Sequence, residues 1–248
     1  MDLGTVLGFL IAFGSILGGN VLEGGHLSSL MVPVAALIVY GGTVGAVMIQ
    51  NTLPVFTKAM GRYAWAFIPP KVDLEDTVKK IVEWSNISRK EGLLGLEDRV
   101  EQETDQFTKD ALQMAVDGTD SSTLVGIMEI QIEMMEKDFK ESMKVWEAMG
   151  GYAPTIGIIG AVLGLIHVMG NLSDPSALGG GIAVAFVATI YGLVGANILF
   201  LPPGNKIHGI GEKMILQKLI TMDGIAAIVD GDNPRNIEAK LKSYSYKV

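Results

Sequence analysis

Tyr152 to Met169 reads YAPTIGIIGAVLGLIHVM, and Gly181 to Leu201 reads GIAVAFVATIYGLVGANILFL. Neither stretch holds an Asp, Glu, Lys or Arg. Each has about the ~20 residues that cross a hydrocarbon core of ~30 Å. The uncharged ground extends well beyond them. No Lys or Arg occurs between 145 and 205, and Asp174 is the only acid between 148 and 205. Residues 1–57 are equally bare, with Asp2 and Glu23 as their only charges. All nineteen Lys and Arg therefore fall in two blocks, 58–144 and 206–247. A water-soluble domain needs polar surface along its whole chain, so this segregation marks a membrane protein.

Two further apolar segments complete the set, about Leu3 to Val21 and about Leu30 to Gln50. The loop around Glu23 to His26 and the loop from Asn171 to Ser176 carry no bases. By the positive-inside tendency both face outward, while 51–150 and 204–248 face the cytoplasm. Both termini are then cytoplasmic, and the expected location is the bacterial inner membrane. The N-terminus lacks a basic n-region and a small-x-small cleavage site, so its apolar stretch reads as a retained helix.

The fold class expected is all-α: four transmembrane helices, a helical cytoplasmic insert between helices 2 and 3, and a helical cytoplasmic tail. The domains are 1–50 (helices 1 and 2), 51–150 (insert), 151–203 (helices 3 and 4, pore-lining) and 204–248 (tail). Within the insert, Asn51 to Ile68 mixes Tyr63 and Trp65 with two bases, as interfacial segments do. Pro69-Pro70 breaks the chain. Helices follow at about Leu74 to Arg89, Glu97 to Val116 and, from the cap signal Asp120-Ser121-Ser122, to about Met149. The last carries apolar residues from Leu124 to Trp146 at three-to-four spacing, and is expected to run into the bilayer or abut it at Gly150-Gly151. Asn233-Pro234 starts a helix in the tail.

Several chemistries are excluded at once. The chain has no Cys, so disulfides and thiolate metal sites are absent. A net charge of −8 argues against nucleic acid. No nucleophile–base pair, phosphate loop or metal cluster is evident, so no catalytic residue, metal site or cofactor is expected and the chain does not read as an enzyme.

Small residues recur at four-residue spacing (Gly4/Gly8, Gly14/Gly18, Gly41/Gly45, Gly160/Gly164), which predicts close helix packing. The polar content of the spans is thin: Ser15, Tyr40, Thr43, Thr155, His167, Thr189, Tyr191 and Asn197. His167, towards the outer end of its segment, reads as interfacial. A chain that conducts ions alone carries an ionisable group at depth. If this one serves ion flow, the carboxylate must come from another chain.

The layout resembles that of the MotA/PomA family, the A subunit of the bacterial flagellar stator. Matching stretches are Ser88 to Glu97 (SRKEGLLGLE), Met114 to Gly118 (MAVDG), Tyr152 to Gly157 (YAPTIG), Ala185 to Thr189 (AFVAT) and Asn233-Pro234-Arg235. The resemblance implies a homopentamer around the two membrane helices of a MotB-like B-subunit dimer. That partner's aspartate carries the ion, and the insert pushes on the rotor protein FliG. By position, Arg89, Lys90, Glu97 and Asp98 match the family's rotor-binding charges. Pro154 and Pro202 match the hinge prolines at the start of the third segment and the end of the fourth, and Thr189 matches a pore-facing threonine. The ion pathway would then include Thr155, Ala161 and Thr189. Sodium-driven members tend to carry a threonine where this chain has Ala161, so the resemblance implies H+ rather than Na+. Besides these partners and membrane lipid, nothing else is implied.

Two other readings stand beside it. One is an energy-transducing subunit like ExbB or TolQ, although those proteins are organised around three membrane segments. The other is a four-helix membrane scaffold without ion flow, in which the charged corner is a solvated patch and the threonines satisfy themselves on backbone carbonyls.

Overall fold

The computed structural model describes residues 1–170 and 175–244. The outward connection read at Asn171 to Ser176 lies outside the described residues as far as Asp174. Among the described residues all regular structure is helical. In chain order the helices are α1 (Leu3–Leu22), α2 (Pro33–Ala36), α3 (Gly42–Gln50), α4 (Leu53–Arg62), α5 (Leu74–Glu91) and α6 (Glu97–Gln102). There follow α7 (Gln106–Val116), α8 (Ser121–Gly170), α9 (Pro175–Val194), α10 (Leu201–Val229) and α11 (Pro234–Lys242). Among the described residues four helical stretches are long and apolar enough to cross a membrane: Leu3–Leu22, Leu27–Gln50, and parts of Ser121–Gly170 and Leu178–Val229.

The second span is a composite. A 3-10 turn at Leu27–Leu30 leads to Pro33 in the first turn of α2, and a π turn at Leu37–Gly41 joins α2 to α3. The third is the apolar end of the 50-residue α8, which carries Pro154 in its interior. Gly150-Gly151 does not interrupt it. The fourth departs from expectation, because its helix does not end at Pro202. A π turn at Gly195–Phe200 runs directly into α10, which continues to Val229. Pro202 and Pro203 sit in the first turn of α10. The widened turn before them relieves the clash that a proline ring makes with the carbonyl one turn back.

The insert also holds one helix more than expected. Glu97 to Val116 is two helices, α6 and α7, because Asp105 caps α7 by accepting from the Thr108 backbone N–H at 2.9 Å. An Asp followed three residues on by Thr was the overlooked stop-and-start signal.

The chain divides into two compact units, residues 1–69 with 140–209, and residues 70–139 with 210–248. In the first, Trp146, Met149, Ala153, Phe200 and Ile207 form a core with Val47 and Ala59. In the second, Ile81, Trp84, Leu96, Leu112, Met128, Ile220, Ile225 and Leu241 pack together. Each fully buried aliphatic side chain there contributes about 1.5–3 kcal/mol. Lys218 of α10 ties to Asp105 at 2.5 Å and lies 5.3 Å from the Phe107 ring centroid. Tyr244 donates to Asp223 at 2.5 Å, and burial together with that carboxylate pushes its hydroxyl up to about 12.

Candidate functional sites: an uncharged helix pair and a charged corner

In the first unit, the membrane-spanning end of α8 and the helix α9 pack backbone against backbone. A Cβ on Gly157 would stand 2.9 Å from the Ala188 carbonyl oxygen, and one on Gly192 only 2.6 Å from that of Ala153. Gly160 and Gly164 face Ala188 and Ala185 in the same way. At Gly157, Gly164 and Gly192 backbone, not a flexible side chain, occupies the space, so glycine is required there; at Gly160 the neighbour is the Ala188 methyl. The expectation of tight packing thus holds for Gly160/Gly164. It does not hold within the chain for Gly8, Gly14, Gly18 or Gly45, where an added Cβ would meet nothing within 4 Å.

Tyrosines lock the pair to the second span. The Tyr191 hydroxyl donates to the Leu30 carbonyl at 2.5 Å, and the Tyr40 hydroxyl to that of Tyr191 at 3.4 Å. Their rings stack with centroids 5.9 Å apart. Below them, Trp146 packs on Tyr63 at 4.9 Å, and Arg62 donates to Ser142 at 2.5 Å while lying over Trp65. The sequence marks Tyr63, Trp65 and the bases of that segment as interfacial, but not their packing on Trp146 and Ser142. Tyr40 and Tyr191 stood in the polar inventory without a role, and only their spatial pairing reveals one.

With the small residues turned inward, the opposite faces are open and apolar. Ile158, Ile159, Val162 and Ile166 are exposed on α8, as are Ile182, Phe186, Ile190 and Leu193 on α9, with Phe186 69% exposed. Thr155 is exposed on the first of these faces, and Thr189 and Ala161 are half-buried. The Thr155 hydroxyl donates to the Tyr152 carbonyl at 2.9 Å, and the Thr189 hydroxyl to Ala185 at 3.2 Å. Both are satisfied one turn back, and each oxygen keeps acceptor capacity for a further donor. Pro154 lies beside Ala153 in the contact with Gly192.

In the second unit, Arg89 and Lys90 occupy the last turn of α5, and Glu97 and Asp98 the first turn of α6. Each sign suits its helix end, basic at the C-terminus and acidic at the N-terminus. Gly92 makes the turn with φ 77°, a left-handed value that side chains other than glycine resist. Leu96 is fully buried and pins the corner, while Leu94 stands 70% exposed. All four charged residues are exposed, and none forms an ion pair among the described residues. The neighbouring Arg99 instead pairs with Glu83 at 3.0 Å. Among the described residues no group of three His, Cys, Asp or Glu is placed to hold a metal.

A multi-pass membrane protein emerges: its first unit has uncharged spans that leave apolar faces open, and its second presents free charges of both signs. Comparison with known proteins narrows the class. Residues 6–92 match the family described as Motility protein A N-terminal, and residues 99–219 the MotA/TolQ/ExbB proton channel family. Motility protein A of Helicobacter pylori is 36% identical over 244 residues, which cover 98% of this chain and 95% of the relative. Chemotaxis protein PomA of Vibrio alginolyticus is 33% identical over 244 residues, covering 98% and 95%. The solved structure of C. jejuni MotAB superposes with a TM-score of 0.93 at 35% identity, over 98% of this chain and 96% of that one. The chain belongs to the MotA/PomA family of flagellar stator A subunits.

Proposed function

We propose that five copies of this chain surround the membrane helices of a MotB-like dimer in the inner membrane, with both termini in the cytoplasm, and convert proton flow into torque on FliG. The observation that carries this reading is the pairing of open apolar faces on α8 and α9 with spans that hold no carboxylate. Solved relatives of this fold are MotAB complexes, so a second chain is the natural source of both the missing surface and the missing acid. Each charge crossing supplies ~2.3 kcal/mol per 100 mV, enough for a modest step of the ring per ion.

Arg89, Lys90, Glu97 and Asp98 are the proposed rotor contact. Charges of both signs on a rigid corner give orientation and fast encounter more than affinity, which suits a contact made and broken at every step. Pro154 and Pro202 are the proposed hinges, and Thr155, Ala161 and Thr189 line the ion pathway. At Ala161 no oxygen is offered to a hard cation, which favours protons over sodium. The test is complementation of a flagellated stator-null strain with this chain and its B subunit. Swimming should return and should follow the proton gradient; strict dependence on sodium would overturn the ion assignment.

A further inference from the structure

Helix α1 is held to the rest of its unit by polar and aromatic contacts near its beginning, and at its far end it meets only the turn that follows it. The Asp2 backbone N–H donates to the Phe67 carbonyl at 2.8 Å, Thr5 donates to that of Ala66 at 2.9 Å, and Phe9 stacks on Phe67 at 5.4 Å. None of its twenty residues is buried. Between the first turns of α1 and the segment from Asn197 to Lys206 lies a cavity of about 400 Å³. Gly4, Gly8 and Ala12 form one wall, and Ile198, Pro202 and Pro203 the other. A space this large and this apolar is unsuited to a water cluster, which needs two to four polar partners per molecule.

One end of the trough is charged. Asp2 and Lys206 meet there at 2.6 Å, each side chain about a third exposed (32% and 31%). Asp2 lies immediately before the first membrane span and Lys206 shortly after the last apolar residues of the fourth, so the pair sits at headgroup level. Its bonding is lopsided. The Thr5 backbone N–H and the Lys206 ammonium both donate to Oδ1 of Asp2, and the Thr5 hydroxyl, which gives its proton to Ala66, lies 3.0 Å from the same oxygen. Oδ2 accepts from none of the described residues. Lys206 has three N–H donors, of which Asp2 and Thr5 take two. What remains is one anionic acceptor beside one cationic donor.

We propose that this trough holds an acyl chain of a phospholipid with a primary-amine headgroup, whose phosphate accepts from Lys206 and whose ammonium donates to Asp2 Oδ2. Choline chemistry has no N–H to donate, and a headgroup with phosphate alone would bring its negative charge against Oδ2. The hydrogen bond from Lys206, with that from the Thr5 backbone N–H, holds the Asp2 carboxyl down to about 2, so it stays ionised at any physiological pH. The lipid would steady the first span, which the chain itself leaves without buried contacts.

The test uses the full chain with its B subunit in phosphatidylcholine nanodiscs containing a small fraction of phosphatidylethanolamine with a photoactivatable diazirine in its acyl chain. Labelled peptides are mapped by mass spectrometry. Label should concentrate on residues 3–12 and 197–203. Unlabelled phosphatidylethanolamine should compete about tenfold better than phosphatidylglycerol or phosphatidylcholine, as one charge-assisted hydrogen bond would give. Asp2→Asn should erase that preference. Gly8→Leu should cut labelling of the trough severalfold and leave labelling of α3 unchanged. An added Cβ at Gly8 meets nothing within 4 Å, so the variant has room to fold, and Ala12→Leu repeats the test from the same wall. Uniform labelling that all three lipids compete equally would overturn the proposal. So would efficient disulfide cross-linking between copies through Gly8→Cys, which would place a second copy in the trough.

Discussion

Gly192 is one residue on which the packing of α8 against α9 depends. A methyl there would meet the Ala153 backbone oxygen at 2.6 Å, and neither helix can yield without shifting α9 against α8. Gly192→Ala should therefore cost about 1–3 kcal/mol, the usual penalty of overpacking, read as a lower melting temperature of the purified protein in detergent. Gly18→Ala, in open space, should leave the melting temperature unchanged. At the charged corner the expectation is functional rather than structural. Arg89→Glu and Glu97→Lys alter exposed groups without ion pairs among the described residues, so protein level should hold while swimming falls severely. Motility that survives reversal of both would remove the rotor assignment.

At the scale of elements, the Asp105–Lys218 contact is a small clamp with a predictable pH dependence. Burial raises the Asp105 carboxyl, but hydrogen bonds from Lys218 and Thr108 outweigh it and leave the group below its ordinary value. Stability from a depressed acid is present above the unfolded value of about 3.9 and is lost as pH falls below it. Asp105→Ala also removes the cap of α7. It should destabilise the second unit by ~1 kcal/mol near neutral pH, with the gap to wild type narrowing under acid. Thermal melts across pH 3 to 7 would check both the direction and the window.

Element scale is also where the limits of reading the sequence appear. The spans were legible because charge segregation is a long-range signal that no local irregularity can hide. The split between α6 and α7 rests on one side chain accepting one N–H, and the apolar pattern ran straight across it. The continuation of the fourth span past Pro202 was illegible for a related reason. Proline signals an end unless the preceding turn widens, and nothing in GANILF announces a π turn. For the candidate sites, the residue types on the charged corner were visible. Their freedom from ion pairs was not, nor was the Tyr40–Tyr191 stack, because both depend on which helices meet.

For the whole molecule, the missing membrane carboxylate and the open faces of α8 and α9 are one fact seen twice: the chain is built to be completed by another. Native mass spectrometry of this chain purified with its B subunit should give five copies to two, and the chain alone should not reproduce that stoichiometry. The most direct test of the account returns to the stator-null strain. This chain should restore swimming only with its MotB-like partner, and exchange of the partner's membrane aspartate for asparagine should abolish it at unchanged protein levels. Swimming with this chain alone, or with a partner that lacks the carboxylate, would contradict the claim that the ion is carried by a second subunit.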